Sequence, residues 1–393
     1  MSNQTTRREF LTASAVAVGG TIVAGRSVIA ATPMIEVLDR RVISWKPPLY
    51  HGWPTLARRK NGELLLVFSG GRETHVCPFG RVELMRSRDD GKSWGWPQVL
   101  LDGPIDDRDA GVVETAKGSI LVTTFTSLAY EAPMQKMEKT SLPPGKEKDE
   151  LDKLIAEWRA AHNRINAEQR QKELGTWMLR STDGGVTWSA RYAVPLNSPH
   201  GPVVLRDGRL IYAGKALWKD DRVGVCESKD DGLTWEWLAT IPARNGDDPK
   251  NYHELHAVEA SDGTLLAHIR NRNQPNAGET LQSESTDGGR SWSVPHSIGV
   301  WGLPSHLLRL RDGRLLMSYG HRRKPIGNLA RMSEDNGRTW SDPLTISDDA
   351  ISGDMGYPST VECDDGTLVT VWYELLPIDP PKAQLRQALW KLS

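Results

Sequence analysis

Apolar and polar positions along this chain repeat in one unit that occurs six times. Each unit has two apolar runs separated by a polar turn ending in glycine, as where Asn61-Gly62 precedes the apolar run 63–68. A DG or NG pair between apolar runs is a strong sign of a β-hairpin. The six turns fall at 61–62, 117–118, 207–208, 262–263, 312–313 and 365–366. Their spacing of roughly 50 residues predicts one four-stranded propeller blade per unit.

A second motif, S-x-D-x-G-x-[ST]-W, follows five of the six hairpins. It occurs at 87–94, 181–188, 228–235, 285–292 and 333–340. Aspartate at a turn accepts hydrogen bonds from the backbone N–H groups that follow it, and glycine adopts the positive φ that the turn needs. The motif therefore predicts a rigid turn between two strands. Its aspartates hold that turn and take no part in chemistry.

Together the repeats predict an all-β fold, a six-bladed β-propeller. The sixth blade lacks the second motif, so we expect segment 35–44 or segment 383–392 to complete it by strand exchange between the chain ends. Such closure removes a free sheet edge. A segment at about 131–175 interrupts the second blade: 133–148 is polar, and 149–174 has the apolar spacing of a helix. This helical insertion either packs on the side of the propeller or forms a lid near its centre.

Composition excludes some classes of partner. The formal net charge is −1 and the pI is near 6.8, so nothing points to nucleic acid or an anionic membrane surface. The three cysteines are far apart in sequence and have no metal-ligand spacing, so we expect no metal site and no cofactor.

The first residues predict export. Arg7-Arg8 precedes a short apolar stretch that ends near Ala31, as in a twin-arginine signal peptide. We therefore expect a leader at 1–31 and a mature propeller at 32–393, periplasmic or secreted. No second apolar segment predicts a membrane span in the mature protein.

Candidate chemistry lies at the starts of the inner strands, which face the central funnel of a propeller. The residues nine positions before the hairpin glycines are Trp53, Asp109, Pro199, Glu254, Pro304 and Tyr357. Neighbouring polar positions include His51 and His200. Polar residues at strand starts above apolar strand bodies predict a polar site at one end of a packed core.

The repeated turn motif resembles the Asp box of sialidases, and three further segments resemble sialidase catalytic segments. The resemblance implies that Tyr357 is the nucleophile, Glu254 its base, and Arg270 with Arg322 or Arg323 the carboxylate-binding arginines. A tyrosine suits this role because a carboxylate nucleophile would be repelled by the carboxylate of a sialic acid.

The sequence departs from the sialidase pattern in the first blade. The lead arginine of the family aligns with Gly52, so His51 or Arg72 would have to replace it. The loop at 70–81 has no aspartate to act as acid/base, so Glu73, His75 or Asp109 would have to serve. Trp53 would stack against a sugar ring.

These features predict an exported, sialidase-like retaining exo-glycosidase that removes a terminal sialic acid, uronic acid or similar acidic sugar. In this hypothesis Asp109 or Glu73 protonates the leaving oxygen, and Arg72, His51, His75 and His200 help to bind the glycan. Two alternatives remain open. One is a non-catalytic glycan-binding propeller, and the other is a uronate polysaccharide lyase that uses Tyr357 and a histidine.

Overall fold

The structure is a computed structural model, and it describes residues 34–44 and 49–392. The expected leader at 1–31 and its boundary at residue 32 lie outside the described residues. Within the described part, the strands form six four-stranded antiparallel sheets. This confirms the six-bladed β-propeller.

Each blade consists of four strands, and the first lies innermost. The sixth blade also takes the first strand of the chain, β1 (Ile35–Val42). Blades 1 to 3 contain β2 (Tyr50–Arg58), β3 (Leu64–Arg72), β4 (Arg81–Ser87) and β5 (Gln98–Leu101); β6 (Asp106–Glu114), β7 (Ile120–Ser127), β8 (Thr176–Ser181) and β9 (Tyr192–Ala193); β10 (Val203–Val204), β11 (Leu210–Lys215), β12 (Val223–Ser228) and β13 (Glu236–Thr240). Blades 4 to 6 contain β14 (Tyr252–Glu259), β15 (Leu265–Asn271), β16 (Thr280–Ser285) and β17 (His296–Val300); β18 (Ser305–Arg309), β19 (Leu315–His321), β20 (Gly327–Ser333) and β21 (Leu344–Ser347); β22 (Met355–Glu362), β23 (Leu368–Leu376) and β24 (Lys382–Leu392).

The ring is closed by both ends of the described chain. In the sixth blade β24 pairs with β23, and β1 pairs with the outer side of β24, with Ile35 opposite Leu392. The sequence left open which segment closes the blade, and the structure uses both. The inner strands β2 and β22 contact each other where the ring meets.

The core lies between blades. Each of the six blade-to-blade interfaces has its own cluster of buried apolar side chains, such as Leu65, Val67, Ala110 and Val122 between blades 1 and 2. Full burial of a leucine or valine stabilises a fold by about 1.5–3 kcal/mol, so these interfaces hold the inner strands at fixed positions around the funnel.

The Asp-box turns form as predicted. In the first, Asp89 accepts hydrogen bonds from the Ser87 hydroxyl (2.7 Å) and from the backbone N–H of Ser93 (2.9 Å). Gly91 has a φ of 80° and donates to the Ser87 hydroxyl. The other four copies repeat these bonds. The five turns join the third and fourth strands of their blades, at the end opposite to the start of the inner strand.

The insertion differs in detail from the expectation. It contains three helices, α1 (Glu131–Glu138), α2 (Lys146–His162) and α3 (Ala167–Glu173). Part of the polar segment 133–148 is therefore helical. Pro133 does not prevent this, because it lies in the first turn of α1, where proline is tolerated. The single helix expected at 149–174 is interrupted because Asn166 and Gln169 form a capping box that starts α3.

No helix in the described ranges 34–44 and 49–392 is both long enough and apolar enough to cross a bilayer.

Candidate active site

Four inner strands carry a backbone irregularity at the same position. Trp53, Asp109, Glu254 and Tyr357 have positive φ values of 53°, 46°, 41° and 55°. The register of each of these strands shifts there, as in a β-bulge. Positive φ is unfavourable for bulky side chains, and bulges re-aim side chains next to functional sites. In blades 3 and 5 the equivalent residue is proline, which cannot adopt positive φ. The irregularity therefore marks four blades that serve one site.

Tyr357, Glu254 and Arg270 form the centre of this site. The Tyr357 hydroxyl donates a 2.5 Å hydrogen bond to Glu254 Oε1, and the Arg270 guanidinium forms an ion pair with Glu254 Oε2. Arg270 Nη1 lies 3.4 Å from the Tyr357 hydroxyl oxygen. His253 lies opposite Arg270 in the β14–β15 ladder, so the start of β14 and the end of β15 meet at one end of the blade.

The charges of this group suit proton transfer from tyrosine to glutamate. Burial alone would raise the pKa of Glu254, but Arg270 and the Tyr357 hydroxyl outweigh burial and lower the pKa to about 2. Burial raises the pKa of Tyr357 well above its ordinary value, the charge of Glu254 adds to the increase, and Arg270 opposes it. At neutral pH Glu254 is therefore an ionised acceptor beside a protonated phenol.

Asp109 faces the same group from blade 2. Its Oδ1 is buried and has no hydrogen-bond partner among the described residues. Burial raises the pKa of Asp109 to about 7; Arg108 opposes the increase, and Glu254 adds to it. Because its pKa is raised towards neutrality, Asp109 can carry a proton near neutral pH and donate it within the funnel.

Trp53 is enclosed by arginines, in contrast to the expected stacking platform. Its side chain is 1% exposed. The guanidinium carbon of Arg108 lies 4.5 Å from the centre of the indole, and that of Arg72 lies 5.0 Å away. Arg72 is itself fully buried and bound to Asp106 at 2.5 and 3.0 Å. In this arrangement the indole supports Arg108, and no face of it is open to a sugar.

The position of the family's lead arginine is also occupied. A Cβ atom at Gly52 would lie 3.1 Å from the Tyr50 ring. The Tyr50 side chain therefore occupies the space into which a longer residue at position 52 would extend.

Tyr50 belongs to a second polar group that the sequence did not reveal. Asp354 accepts hydrogen bonds from the Tyr50 hydroxyl (2.9 Å), the Tyr373 hydroxyl (3.1 Å) and His75 Nδ1 (2.9 Å). The His75 ring packs edge-on against Trp53 at 4.9 Å, and the Tyr373 ring lies 5.8 Å from that of Tyr357. This group therefore adjoins the Tyr357 centre.

Of the two arginines expected from blade 5, one lies beside β22. Arg322 donates to the backbone carbonyl of Met355 at 2.9 and 3.2 Å, two residues before Tyr357. Arg323 is exposed, and its guanidinium packs over the Trp301 ring at 4.5 Å. Arg322 is thus the better placed of the two for a ligand in the funnel.

Glu73 contacts the helical insertion. The indole N–H of Trp158 on α2 donates to Glu73 Oε2 at 3.0 Å. Trp158 packs with Cys77, Tyr130 and Met134, so the insertion covers the loop between β3 and β4. The insertion itself replaces the loop between β7 and β8, which emerges at the same end of the blades as the starts of the inner strands. The helical insertion therefore lies at the end of the propeller at which the funnel opens, beside the loop between β3 and β4.

The remaining expected residues are histidines. His51 is buried, hydrogen-bonded to Ser44 at 2.9 Å and packed on Phe68. His200 belongs to a buried cluster with His256 and His306, whose ring centres are 4.6–5.3 Å apart. Among the residues that the structure describes, no group of three or more potential ligands has a geometry suited to a metal ion.

Comparison with known proteins agrees with this architecture. Residues 157–370, more than half of the chain, match the BNR repeat-like domain. The chain belongs to the BNR repeat-like family.

Three solved structures similar to this BNR repeat-like chain show the fold alone, since each is below 25% identity. A protein of unknown function from Dyadobacter fermentans aligns with a TM-score of 0.72 at 21% identity, covering 91% of this chain and 99% of that one. The NanB sialidase of Streptococcus pneumoniae aligns at 0.60 and 15%, covering 87% and 68%. The Trypanosoma rangeli sialidase in complex with sialic acid aligns at 0.58 and 17%, covering 92% and 59%.

One curated protein is related to the BNR repeat-like chain in sequence. A xyloglucanase from a Paenibacillus species is 26% identical over an alignment of 212 positions that covers 46% of this chain and 19% of that protein. The chain thus spans about a fifth of the length of the curated relative that it matches.

Proposed function

We propose that this propeller is a glycoside hydrolase that removes a terminal acidic sugar with retention of configuration. Tyr357 is the nucleophile and Glu254 is the base that takes its proton. The observation that carries the proposal is the 2.5 Å hydrogen bond from Tyr357 to an ionised Glu254. An activated nucleophile needs an adjacent base that is itself held by a third group, and Arg270 is that group here.

The chemistry proceeds in two steps. In the first, the Tyr357 oxygen attacks the anomeric carbon, its proton moves to Glu254, and the bond to the leaving oxygen breaks as that oxygen is protonated. In the second, water attacks the anomeric carbon and gives a proton to the group that protonated the leaving oxygen, while Tyr357 leaves the sugar and recovers its proton from Glu254. The sequence left Asp109, Glu73 and His75 open as the acid, with Asp109 or Glu73 in the leading hypothesis. Of these, Asp109 lies close enough to the pair to influence the pKa of Tyr357, whereas Glu73 accepts the Trp158 N–H.

Positive charge near the pair supports an acidic substrate. Arg270 and Arg322 flank Tyr357, and a guanidinium can bind a carboxylate through two parallel hydrogen bonds. Burial, together with the charges of Lys215 and Arg272, lowers the pKa of His253 to about 4. A sugar carboxylate at this end of blades 3 to 5 would meet several cations. The same arginines would hold a sialic acid or a uronic acid.

The test is a release assay on protein 32–393. Fluorogenic glycosides of N-acetylneuraminic acid, glucuronic acid and, as a neutral control, glucose are offered, and products are followed by mass. Release of an acidic sugar that Tyr357→Phe abolishes supports the proposal. Release of glucose alone overturns the acidic specificity. An unsaturated product that absorbs in the ultraviolet indicates a lyase, and glycan binding without turnover indicates a binding propeller.

A location outside the cytoplasm is part of the proposal and rests on Arg7-Arg8 and the apolar stretch after them. Fusion of residues 1–31 to a reporter that is active only after export tests it. Replacement of both arginines by lysine must abolish the signal if the twin-arginine route is used.

A further inference from the structure

We propose that His75, oriented by Asp354, is the acid that protonates the leaving oxygen and the base that later activates water. This inference rests on the proposed retaining mechanism and supplies its missing partner. The sequence left Glu73, His75 and Asp109 open as the acid, and its leading hypothesis used Asp109 or Glu73.

The orientation of His75 follows from its contacts. Asp354 is ionised, because burial, which would raise its pKa, is outweighed by hydrogen bonds from His75, Tyr50 and Tyr373, and the pKa is lowered. An ionised carboxylate only accepts hydrogen bonds, so His75 Nδ1 donates to it. That tautomer leaves Nε2 as the site at which a proton is carried or received. A carboxylate that fixes an imidazole in this way is the arrangement that makes histidine a directed proton donor.

The position of His75 suits a leaving group better than that of Asp109. The His75 side chain is 46% exposed, whereas Asp109 is 8% exposed and its Oδ1 is enclosed. The aglycon departs towards solvent, so the group that protonates it must be reachable from the mouth of the funnel. At the same time His75 is bound to the site, through the edge-on contact of its ring with Trp53 and through Asp354 and Tyr373 to Tyr357.

The groups around His75 are compatible with a change of charge. Tyr50, Trp53 and Asp354 contact its ring, and Arg72 donates to its backbone carbonyl at 3.1 Å. In the first step His75, carrying a proton on each ring nitrogen, gives its Nε2 proton to the leaving oxygen and becomes neutral as Tyr357 forms its bond to the sugar. In the second step neutral His75 takes a proton from the attacking water. The net change is hydrolysis, with both proton carriers restored.

The test compares substrates that differ in their need for an acid. His75→Gln is assayed on 4-nitrophenyl and methyl glycosides of N-acetylneuraminic acid and of glucuronic acid. We expect kcat/KM to fall about 10²–10⁴-fold for the methyl glycoside and less than about tenfold for the nitrophenyl glycoside, since a good leaving group needs little protonation. Free imidazole should restore activity to His75→Ala. The exposed His296 on β17 provides the control variant, His296→Gln.

Two results would overturn the inference. One is an equal loss for both leaving groups, and the other is an unchanged rate for the methyl glycoside. If Tyr357→Phe keeps its turnover, the hydrolase mechanism itself fails, and this outcome is independent of the His75 result.

A measurement without substrate tests the orientation. Histidine side-chain ¹H–¹⁵N spectra should show a proton on Nδ1 of His75, and Asp354→Asn should shift the His75 resonances while those of His296 stay in place. Unchanged His75 resonances in Asp354→Asn would refute the pairing.

Discussion

The Tyr357 hydroxyl donates a 2.5 Å hydrogen bond to Glu254, a residue 103 positions away in the chain. The two residues occupy the same place in the inner strands of blades 6 and 4, and both have positive φ. Because the propeller repeats one blade around an axis, equivalent bulges aim side chains from distant segments into one funnel. The repeat thus explains how residues far apart in the chain, such as Tyr357 and Glu254, come into contact.

Removal of the Tyr357 hydroxyl should abolish turnover and leave the fold intact. Tyr357→Phe keeps the ring and loses a hydrogen bond to a charged group, which costs about 1.5–3 kcal/mol. We expect no detectable sugar release, with a small fall in the urea midpoint. Tyr319→Phe, a similarly buried tyrosine on β19, should retain activity. Turnover in Tyr357→Phe equal to the native rate would rule out Tyr357 as nucleophile.

Glu254 should affect stability and activity by separate routes. Glu254→Gln removes the base, and kcat should fall roughly 10²–10⁴-fold. It also leaves Arg270, which is 9% exposed, without its anion, and an uncompensated buried charge costs about 3–5 kcal/mol.

The double variant Glu254→Gln/Arg270→Gln distinguishes the two effects. It should recover most of the lost unfolding free energy in urea and none of the lost kcat. Recovery of activity in the double variant would mean that Glu254 serves only to neutralise Arg270.

Glu73 should tolerate substitution. Its carboxylate accepts the Trp158 indole N–H, and a glutamine oxygen can accept the same bond. We therefore expect Glu73→Gln to keep kcat within about twofold on a methyl glycoside, since no proton-transfer contribution is removed. A fall of a hundredfold or more in that assay would restore Glu73 as the leaving-group acid.

Much of the fold and part of the site could be predicted from the sequence, because the signals are local. The glycine turns and Asp boxes are made by side chains bonding their own backbone, so each is visible within eight residues. Counting back from each turn glycine found Tyr357 and Glu254 for the same reason, since the hairpin length is constant.

The second polar group could not be found in this way. Tyr50, His75 and Tyr373 converge on Asp354 from separate strands and loops, and their meeting depends on how blade 6 sits against blade 1. Trp53 illustrates the same limit. Its position was predicted, but the packing of the Arg72 and Arg108 guanidinium groups over its ring depends on contacts between blades 1 and 2.

An Asp-box aspartate should matter for stability and not for catalysis. Asp335 accepts hydrogen bonds from the Ser333 hydroxyl and from both the backbone N–H and the hydroxyl of Thr339. Its neighbour Glu334 is exposed. Asp335→Ala should lower the melting temperature and leave KM unchanged, whereas Glu334→Ala should change neither. A change in KM with an unchanged melting temperature in Asp335→Ala would assign this turn to the site.

Acid should destabilise the propeller through its buried histidine cluster. Burial lowers the pKa of His306 to about 3 and those of His200 and His256 well below their ordinary value. A histidine in the unfolded chain has a pKa near 6.5, so below that pH the unfolded chain binds protons that the folded cluster does not bind. The fall in pH therefore favours unfolding. Stability is therefore greatest above pH 6.5 with respect to these groups. It is lost as the pH falls from there towards 3.

The carboxyl groups of Asp107 and Asp109 have the opposite effect on stability, because burial raises the pKa of each to about 7. Below that pH the folded state holds protons that the unfolded chain has lost.

A variant isolates the histidine contribution. His306→Gln can still accept from the backbone N–H of Thr360 and cannot become charged. Urea unfolding at pH 6, 5 and 4 should show a pH slope smaller than that of the native chain by about 1.4 kcal/mol per pH unit. The exposed-site variant His296→Gln should keep the native slope, and an equal slope in His306→Gln would show that the cluster does not control acid stability.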